Sequence, residues 1–261
     1  MRWLAVAVWL AGVAHGGALY LDDSWPDATR PTLQELANDV WDVVAEMFHS
    51  SLPLDLPIRV HQSDAAVPVT IVFENEINVQ ITAHGTFYGQ FAFQLGHELG
   101  HVMLDPRRTN GVVEAICIAV SYEVLDRLGQ KEKDSPSYPW LADYAKNFKP
   151  YRKNDQKIVL AKSPQEVRDM VKGKKWPKLA DWLRAHRTEL EAGHADDRNV
   201  QTLAAIALRS GPVDWGQFAG IAGCTTPSAQ DDPAFKVLPI GADCIARASG
   251  LLCRMSVGCA P

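Results

Sequence analysis

The spacing of apolar residues along the first half of the chain predicts a helix, a group of short strands and two further helices. Apolar residues recur at helical spacing after Pro31, and proline suits a first helical turn, so residues 31–50 are predicted to form an amphipathic helix. Three short β-type runs follow, PIRVHQ, PVTIVF and INVQITA. In the last run, Ile77, Val79 and Ile81 alternate with polar residues, which indicates a half-buried or edge strand.

Two helices are predicted beyond the strands, on either side of the polar break DPRRTNG. The first runs from about Tyr88 to Leu104 and the second from about Val112 to Leu128. The pattern therefore predicts an α+β fold, in which a small mixed sheet packs against these two helices.

The second half of the chain begins with QKEKDSPSYPW, a polar segment that two prolines interrupt. The pattern beyond it is mainly helical. We therefore predict an α+β core at residues 21–130 and a helical C-terminal region at residues 131–261, which ends in a cysteine-rich tail.

The N-terminus has the layout of a secretory signal peptide, predicted for residues 1–18. A basic residue precedes a short apolar stretch, and small residues follow at which cleavage would fit: Ala14, Gly16 and Ala18. A membrane anchor is the alternative, but the stretch is shorter than the roughly 20 apolar residues that span a bilayer. No later segment is long and apolar enough either. The sequence thus predicts a secreted or periplasmic protein with no stable membrane span.

The cysteines are consistent with export to an oxidising compartment. Four of them cluster near the C-terminus: Cys224, Cys244, Cys253 and Cys259. They lack the close pairs of a structural zinc site, so disulfide bonds are predicted, with three pairings open. Cys117 lies in an apolar run and is predicted to be a buried, inert thiol.

The stretch FQLGHELGHVML, residues 93–104, carries the candidate chemistry. His97 and His101 are four apart, so on a helix both rings lie on one face and can reach one metal ion. Glu98 is rotated by about 100° from His97, which suits a general base acting on a water at the metal. The alternative is a pair of core histidines bonded to backbone carbonyls.

Two glycines in the same helix conflict with its helical pattern. Gly96 and Gly100 are four apart, and each lowers helix stability by about 1 kcal/mol relative to alanine. We expect another element to approach the helix closely on this glycine face.

The third metal ligand is expected from the second helix, because catalytic zinc usually has three protein ligands. Glu114 is the lone charged residue in an otherwise apolar stretch, where an unpartnered carboxylate would be unfavourable. Glu123 is the competitor, but it lies beside Asp126 and Arg127, where a solvated carboxylate is unremarkable. Glu114 is therefore the predicted ligand.

With these residues in place, the sequence resembles the gluzincin metallopeptidases, the thermolysin-like clan, and within it the compact minigluzincins. The matching motifs are HELGH at 97–101 and VVEAI at 112–116, and the resemblance covers roughly residues 31–130. It implies a zincin-like catalytic core that holds Zn²⁺. It also implies that the last strand before the HELGH helix is a sheet edge that pairs with an extended substrate.

One departure from the family pattern concerns the group that orients a metal-bound histidine. Family members often have an aspartate one turn after the ligand glutamate, whereas this chain has Ile118. Asp105 is a weak candidate to orient His97 instead. Candidates for stabilising an oxyanion are His84, Tyr88 and Tyr122, although ordinary packing or surface roles suit each of them better.

Composition removes some classes of function. The chain has 261 residues, 47% of them hydrophobic, and a net charge of −5 at pH 7. This is enough for a sizeable core, and it lacks the basic excess expected of a protein that binds nucleic acid.

The sequence therefore predicts a secreted zinc-dependent endopeptidase that acts on peptide or protein substrates. Its ligands would be His97, His101 and Glu114, with Glu98 as general base. The first alternative is a catalytically inactive zinc-binding protein that serves as an interaction module. The second is a self-inhibited enzyme whose cysteine-rich tail covers the cleft.

Overall fold

The computed structural model describes residues 19–49, 52, 54–107, 109–136, 138–186, 190, 198–220 and 253–255. The predicted signal peptide lies outside the described residues, as do the side chains of the four C-terminal cysteines. The export signal and the disulfide bonds therefore stay predictions. Cys117 is fully buried with a free thiol, as its apolar surroundings predicted.

A four-stranded sheet forms the β part of the α+β fold. Its strands are β1 (Leu19–Leu21), β2 (Ile58–Gln62), β3 (Val69–Val72) and β4 (Ile77–Ile81), in the order β1-β2-β4-β3. The first three strands in this order run parallel, and β3 pairs antiparallel with β4. The short strand β1, which follows the predicted signal peptide, was not anticipated from the sequence.

The INVQITA strand, β4, is interior, so its prediction as an edge strand was wrong. It lies between β2 and β3, and Ile77, Val79 and Ile81 are all fully buried. Its polar residues pair in register with Arg59 and His61 of β2, so they continue a polar sheet face. The alternating pattern thus indicates that one face of the sheet is polar. It does not show whether the strand lies at the edge or in the interior of the sheet.

Seven α-helices accompany the sheet in the described part of the chain: α1 (Arg30–Met47), α2 (Tyr88–Leu104), α3 (Gly111–Asp134), α4 (Pro139–Lys162), α5 (Gln165–Lys172), α6 (Trp176–Ala185) and α7 (Arg198–Leu208). Two 3₁₀ turns, Trp215–Gly220 and Cys253–Met255, complete the elements. Helices α1 and α2 pack against the sheet, and α3 packs against α1 and α2. None of the described helices is both long and apolar enough to cross a membrane.

Helix α3 is longer than the sequence indicated and ends at Asp134, which leaves a four-residue connection before α4. The predicted boundary at residue 130 therefore falls inside α3. Helix α4 packs along α3, and the apolar core continues across the boundary to Phe148, Val167 and Leu179.

The two glycines of α2 lie where α3 crosses it, which confirms the predicted close approach. A methyl group added at Gly96 would lie 3.2 Å from Cγ2 of Val124, and one at Gly100 would lie 3.2 Å from Cα of Cys117. Side chains at these positions would push the helices apart. The glycines thus set the short distance between α2 and α3.

The variant Gly100→Ala tests this packing. The new methyl group would contact the backbone of α3, and overpacking of this kind costs about 1–3 kcal/mol, against a gain of about 1 kcal/mol in helix propensity. We expect a lower free energy of unfolding, measured by urea denaturation. The control is Gly129→Ala, whose methyl group would make only an ordinary 3.4 Å contact with a carbonyl oxygen of α4, and which should be neutral or stabilising. Equal stabilisation by both variants would contradict the packing argument.

Candidate metal centre

Three of the predicted residues converge between α2 and α3. The Nε2 atoms of His97 and His101 lie 3.2 Å apart, and the Glu114 carboxylate lies 3.1 Å from His97 Nε2 and 3.4 Å from His101 Nε2. The ligand atoms all lie within 4.8 Å of one another. Two ring nitrogens this close need a proton or a cation between them, because two lone pairs would repel. The group could therefore hold a metal ion.

The competing carboxylate, Glu123, lies elsewhere. It accepts from Nε of Arg127 at 2.9 Å and from Nη2 of Arg209 at 2.9 Å. Since these two arginines balance its charge, Glu123 belongs to a partly buried ion-pair network, and the structure brings Glu114 to the histidines instead.

The start of α3 fixes the position of Glu114. The side chain of Asn110 caps the helix by accepting from the backbone N–H groups of Val112 and Val113, both at 3.0 Å. Glu114 thereby falls in the first helical turn and faces back toward α2. The hydroxyl of Thr109, just before the cap, donates to Oε1 of Glu114 at 2.6 Å.

Electrostatic coupling between the three groups is strong. Burial alone would lower the pKa of His101, but the Cys117 sulfur and the Glu114 carboxylate beside it raise that pKa well above its usual range. Burial alone would raise the pKa of Glu114, but His101 and His97 hold it well below its usual range. The carboxylate is thus ionised and forms an ion pair with the imidazoles beside it.

Cys117 adds a contact to this group from the buried side. Burial raises the pKa of its thiol to about 11, so the thiol is neutral at ordinary pH. Its sulfur lies against Gly100, the residue before His101, and interacts electrostatically with the His101 ring, so Cys117 is a buried neighbour of the site.

Glu98 lies beside the three residues, with only 3% of its surface exposed. The hydroxyl of Thr70, on strand β3, donates to its Oε2 at 2.7 Å. A single hydrogen bond leaves the other carboxylate oxygen available to a small molecule such as water. The arrangement supplies a fixed proton acceptor next to a potential metal site.

These residues line one cleft of about 390 Å³. Residues 67–70, in and before β3, line it together with α2, the Thr109 loop and Ile118 of α3. Helix α7 contributes Arg198 and Gln201. The edge strand beside the cleft is therefore β3, and Val67 and Val69 present exposed apolar side chains there.

The candidates for oxyanion stabilisation lie elsewhere, since none of the three is among the described residues that line the cleft. His84 contacts Gln62 and Asp64, Tyr88 packs on aromatic rings of α4, and the buried Tyr122 donates to Asp155 at 2.7 Å. The three side chains are held by these other partners.

The groups considered for orienting a histidine also have other roles. Asp105 forms a two-point ion pair with Arg107, at 2.8 Å to both nitrogens. Ile118 places an apolar side chain in the cleft wall.

Thr70, Thr109, Cys117 and Arg198 were not identified as site residues from the sequence. The two threonines and Arg198 carry no motif, and each reaches the cleft only because the chain folds back on itself. Cys117 gave a partial signal, since it lies one turn after Glu114 in the same helix.

Compared with protein families, curated proteins and solved structures, the chain matches none. The likeness to gluzincins therefore stays a resemblance, carried by the two short motifs.

Proposed function

We propose that this protein is an exported zinc-dependent peptidase. The single observation that carries the proposal is the convergence of His97, His101 and Glu114 in one cleft with the Glu98 carboxylate. Two imidazoles and a carboxylate are a common ligand set of catalytic zinc, which keeps one position open.

The separations between the ligand atoms fit zinc. Ligands at about 2.0–2.1 Å from a tetrahedral ion lie about 3.3–3.4 Å from each other. The two imidazole nitrogens lie 3.2 Å apart, and the carboxylate approaches them through different oxygens, Oε2 at 3.1 Å from His97 and Oε1 at 3.4 Å from His101. The three side chains would hold Zn²⁺ without a change of fold, and the ion, when bound, would polarise a substrate carbonyl and acidify a water.

Glu98 would move the proton. Thr70 donates to its Oε2, which leaves Oε1 to accept from a water in the cleft. We assign Glu98 the role of taking a proton from that water as it attacks the peptide carbonyl, and of passing the proton to the leaving amine.

Strand β3 would position the substrate. It is the edge strand beside the cleft, so its outer backbone groups are available to an extended peptide. The exposed Val69 of β3, and Val67 just before the strand, would contact alternate substrate side chains. The sequence resemblance implies that the strand just before α2, which is β4, pairs with the substrate. The sheet order supports β3 for this role instead, because β3 is the edge strand.

The inactive alternative is favoured by one observation, the apolar Ile118 where the family often has an orienting aspartate. The buried, hydrogen-bonded Glu98 argues against it, because a structural zinc site does not need a base.

The test is a zinc assay combined with a peptide digest. The mature chain should bind about one zinc ion per molecule, measured by elemental analysis, and should cleave members of a peptide library, detected by mass spectrometry. A chelator should abolish cleavage and added Zn²⁺ should restore it. Zinc binding without cleavage of any peptide would support the inactive alternative, and absence of zinc would refute both.

The variant Thr109→Val tests the support of Glu114. Loss of its hydrogen bond should weaken zinc affinity about 10–100-fold, the range for groups that orient a ligand. Competition with a chromogenic chelator measures the change. The control is Thr29→Val, which removes the hydroxyl of a half-buried threonine outside the cleft; equal affinities of the two variants would refute the role of Thr109.

A further inference from the structure

Arg198 gives the cleft a feature that the proposed hydrolysis does not use. Of the described residues that line the cleft, it is the only lysine or arginine. The neighbouring wall is largely apolar and includes Phe93 and Ile118. A fixed positive charge in such a wall attracts an anionic group.

Two contacts hold the guanidinium in place, and a third fixes its carboxylate partner. Its Nη2 donates to Oδ1 of Asp155 at 2.6 Å, and Oδ2 of Asp155 in turn accepts from Tyr122 at 2.7 Å. The guanidinium also lies over the ring of Phe93, with its carbon 5.9 Å from the ring centre. The side chain is therefore fixed at the cleft wall, although 55% of it is exposed.

Most of the hydrogen-bonding capacity of Arg198 remains available. A guanidinium has five N–H donors, and among the described residues only Asp155 accepts from it. The remaining donors form a planar fork that matches a carboxylate with two parallel hydrogen bonds. A neutral amide or an apolar side chain would use this fork poorly.

The location of Arg198 sets how far this carboxylate lies from the reacting bond. Phe93, beneath the guanidinium, precedes His97 by four residues, about 6 Å along α2. One residue of an extended peptide spans about 3.3–3.6 Å. Measured along α2, this offset corresponds to about two residues of an extended peptide.

We propose that Arg198 binds a substrate carboxylate within two residues of the scissile bond, so that the protein selects peptides that carry a negative charge there. The carboxylate is either the free C-terminus of a short peptide or the side chain of an internal acidic residue. The inference rests on the proposed peptidase function and adds the substrate class.

Paired peptides distinguish the two sources of the carboxylate. One pair differs only in a free C-terminus against a C-terminal amide, and the other only in an internal glutamate against glutamine. The native protein should prefer the charged member of at least one pair. Arg198→Gln should lower kcat/KM for the charged member about 10–100-fold, as expected for loss of a charged hydrogen-bonded pair, and so remove the preference. The change should come mainly from a higher KM. Arg198→Lys should retain part of it.

The matched control is Arg184→Gln. Arg184 is about as exposed, with 51% of its side chain accessible, and pairs with Asp181 outside the cleft. It should keep the native preference. If the native protein shows no preference in either pair, or Arg198→Gln retains it, the proposal is wrong. A lower melting temperature of Arg198→Gln with an unchanged preference would show that Arg198 serves only to anchor Asp155.

A binding measurement separates this proposal from the peptidase function. Calorimetry on the zinc-loaded Glu98→Gln protein measures the affinity for two pairs of small ligands. One pair is an N-acetylated dileucine peptide and its C-terminal amide. The other is N-acetylated glutamate amide and its glutamine analogue. Tighter binding of an acidic member that is lost on adding Arg198→Gln supports the proposal even if no peptide is hydrolysed. Equal or absent binding of the acidic members overturns it, whether or not the protein is a peptidase.

Discussion

Replacement of Glu98 by glutamine is expected to leave zinc bound and to lower kcat by about 10²–10⁴-fold, the usual contribution of a general acid–base group. Glutamine has nearly the shape of glutamate, and its amide oxygen can still accept from Thr70. It cannot take a proton from water at ordinary pH. The variant should therefore keep its fold and its metal while hydrolysis slows.

The measurement is kcat on a cleaved library peptide, with the zinc content and melting temperature of the same sample. Glu35→Gln, an exposed glutamate of α1 outside the cleft, is the matched control and should keep full activity. If Glu98→Gln is as active as the parent, Glu98 is not the base. If it loses zinc as well, the lost activity does not report on proton transfer.

Replacement of Glu114 by alanine is expected to reduce zinc affinity by more than about 100-fold, because altering a group that only orients a ligand already costs about 10–100-fold. Two imidazoles would remain, and hydrolysis should be lost with the metal. Alanine also suits a helix, and Glu114 lies at the cleft rather than in the apolar core. The fold should therefore survive.

Elemental analysis and chelator competition would measure the loss, and circular dichroism would check the fold. The control is Glu123→Gln, which changes a carboxylate of the same helix that is bonded to Arg127 and Arg209. This variant should keep zinc while weakening the ion pairs with the two arginines. Retention of native zinc affinity by Glu114→Ala would remove the basis of the proposed site.

Much of the candidate site could be predicted from the sequence because local rules determine it. A four-residue spacing puts two histidines on one face of any α-helix, wherever that helix lies. A lone carboxylate in an apolar helix needs a partner, which favours Glu114 over Glu123 as the third ligand. The glycines of α2 likewise indicated a close neighbour before that neighbour was known.

The sheet was harder to predict, since pairing between strands is not a local property. Alternating residues in β4 correctly indicated one polar face, but they could not reveal that β3 pairs with its outer side. The strand that lies beside the cleft was consequently assigned wrongly. Thr70, which contacts Glu98 from β3, could not be identified without the sheet order.

By itself, the sequence determined an α+β chain with two histidines on one helix face, a glutamate beside them and a lone carboxylate in the next helix, because helical periodicity and the unfavourable burial of polar groups act over a few residues. Only the tertiary structure decided which strand borders the cleft and which distant side chains enter it. Thr70 and Arg198 lie 128 positions apart, and their meeting at one cleft depends on how sheet and helices pack. No local pattern encodes such a contact, because it depends on the whole fold.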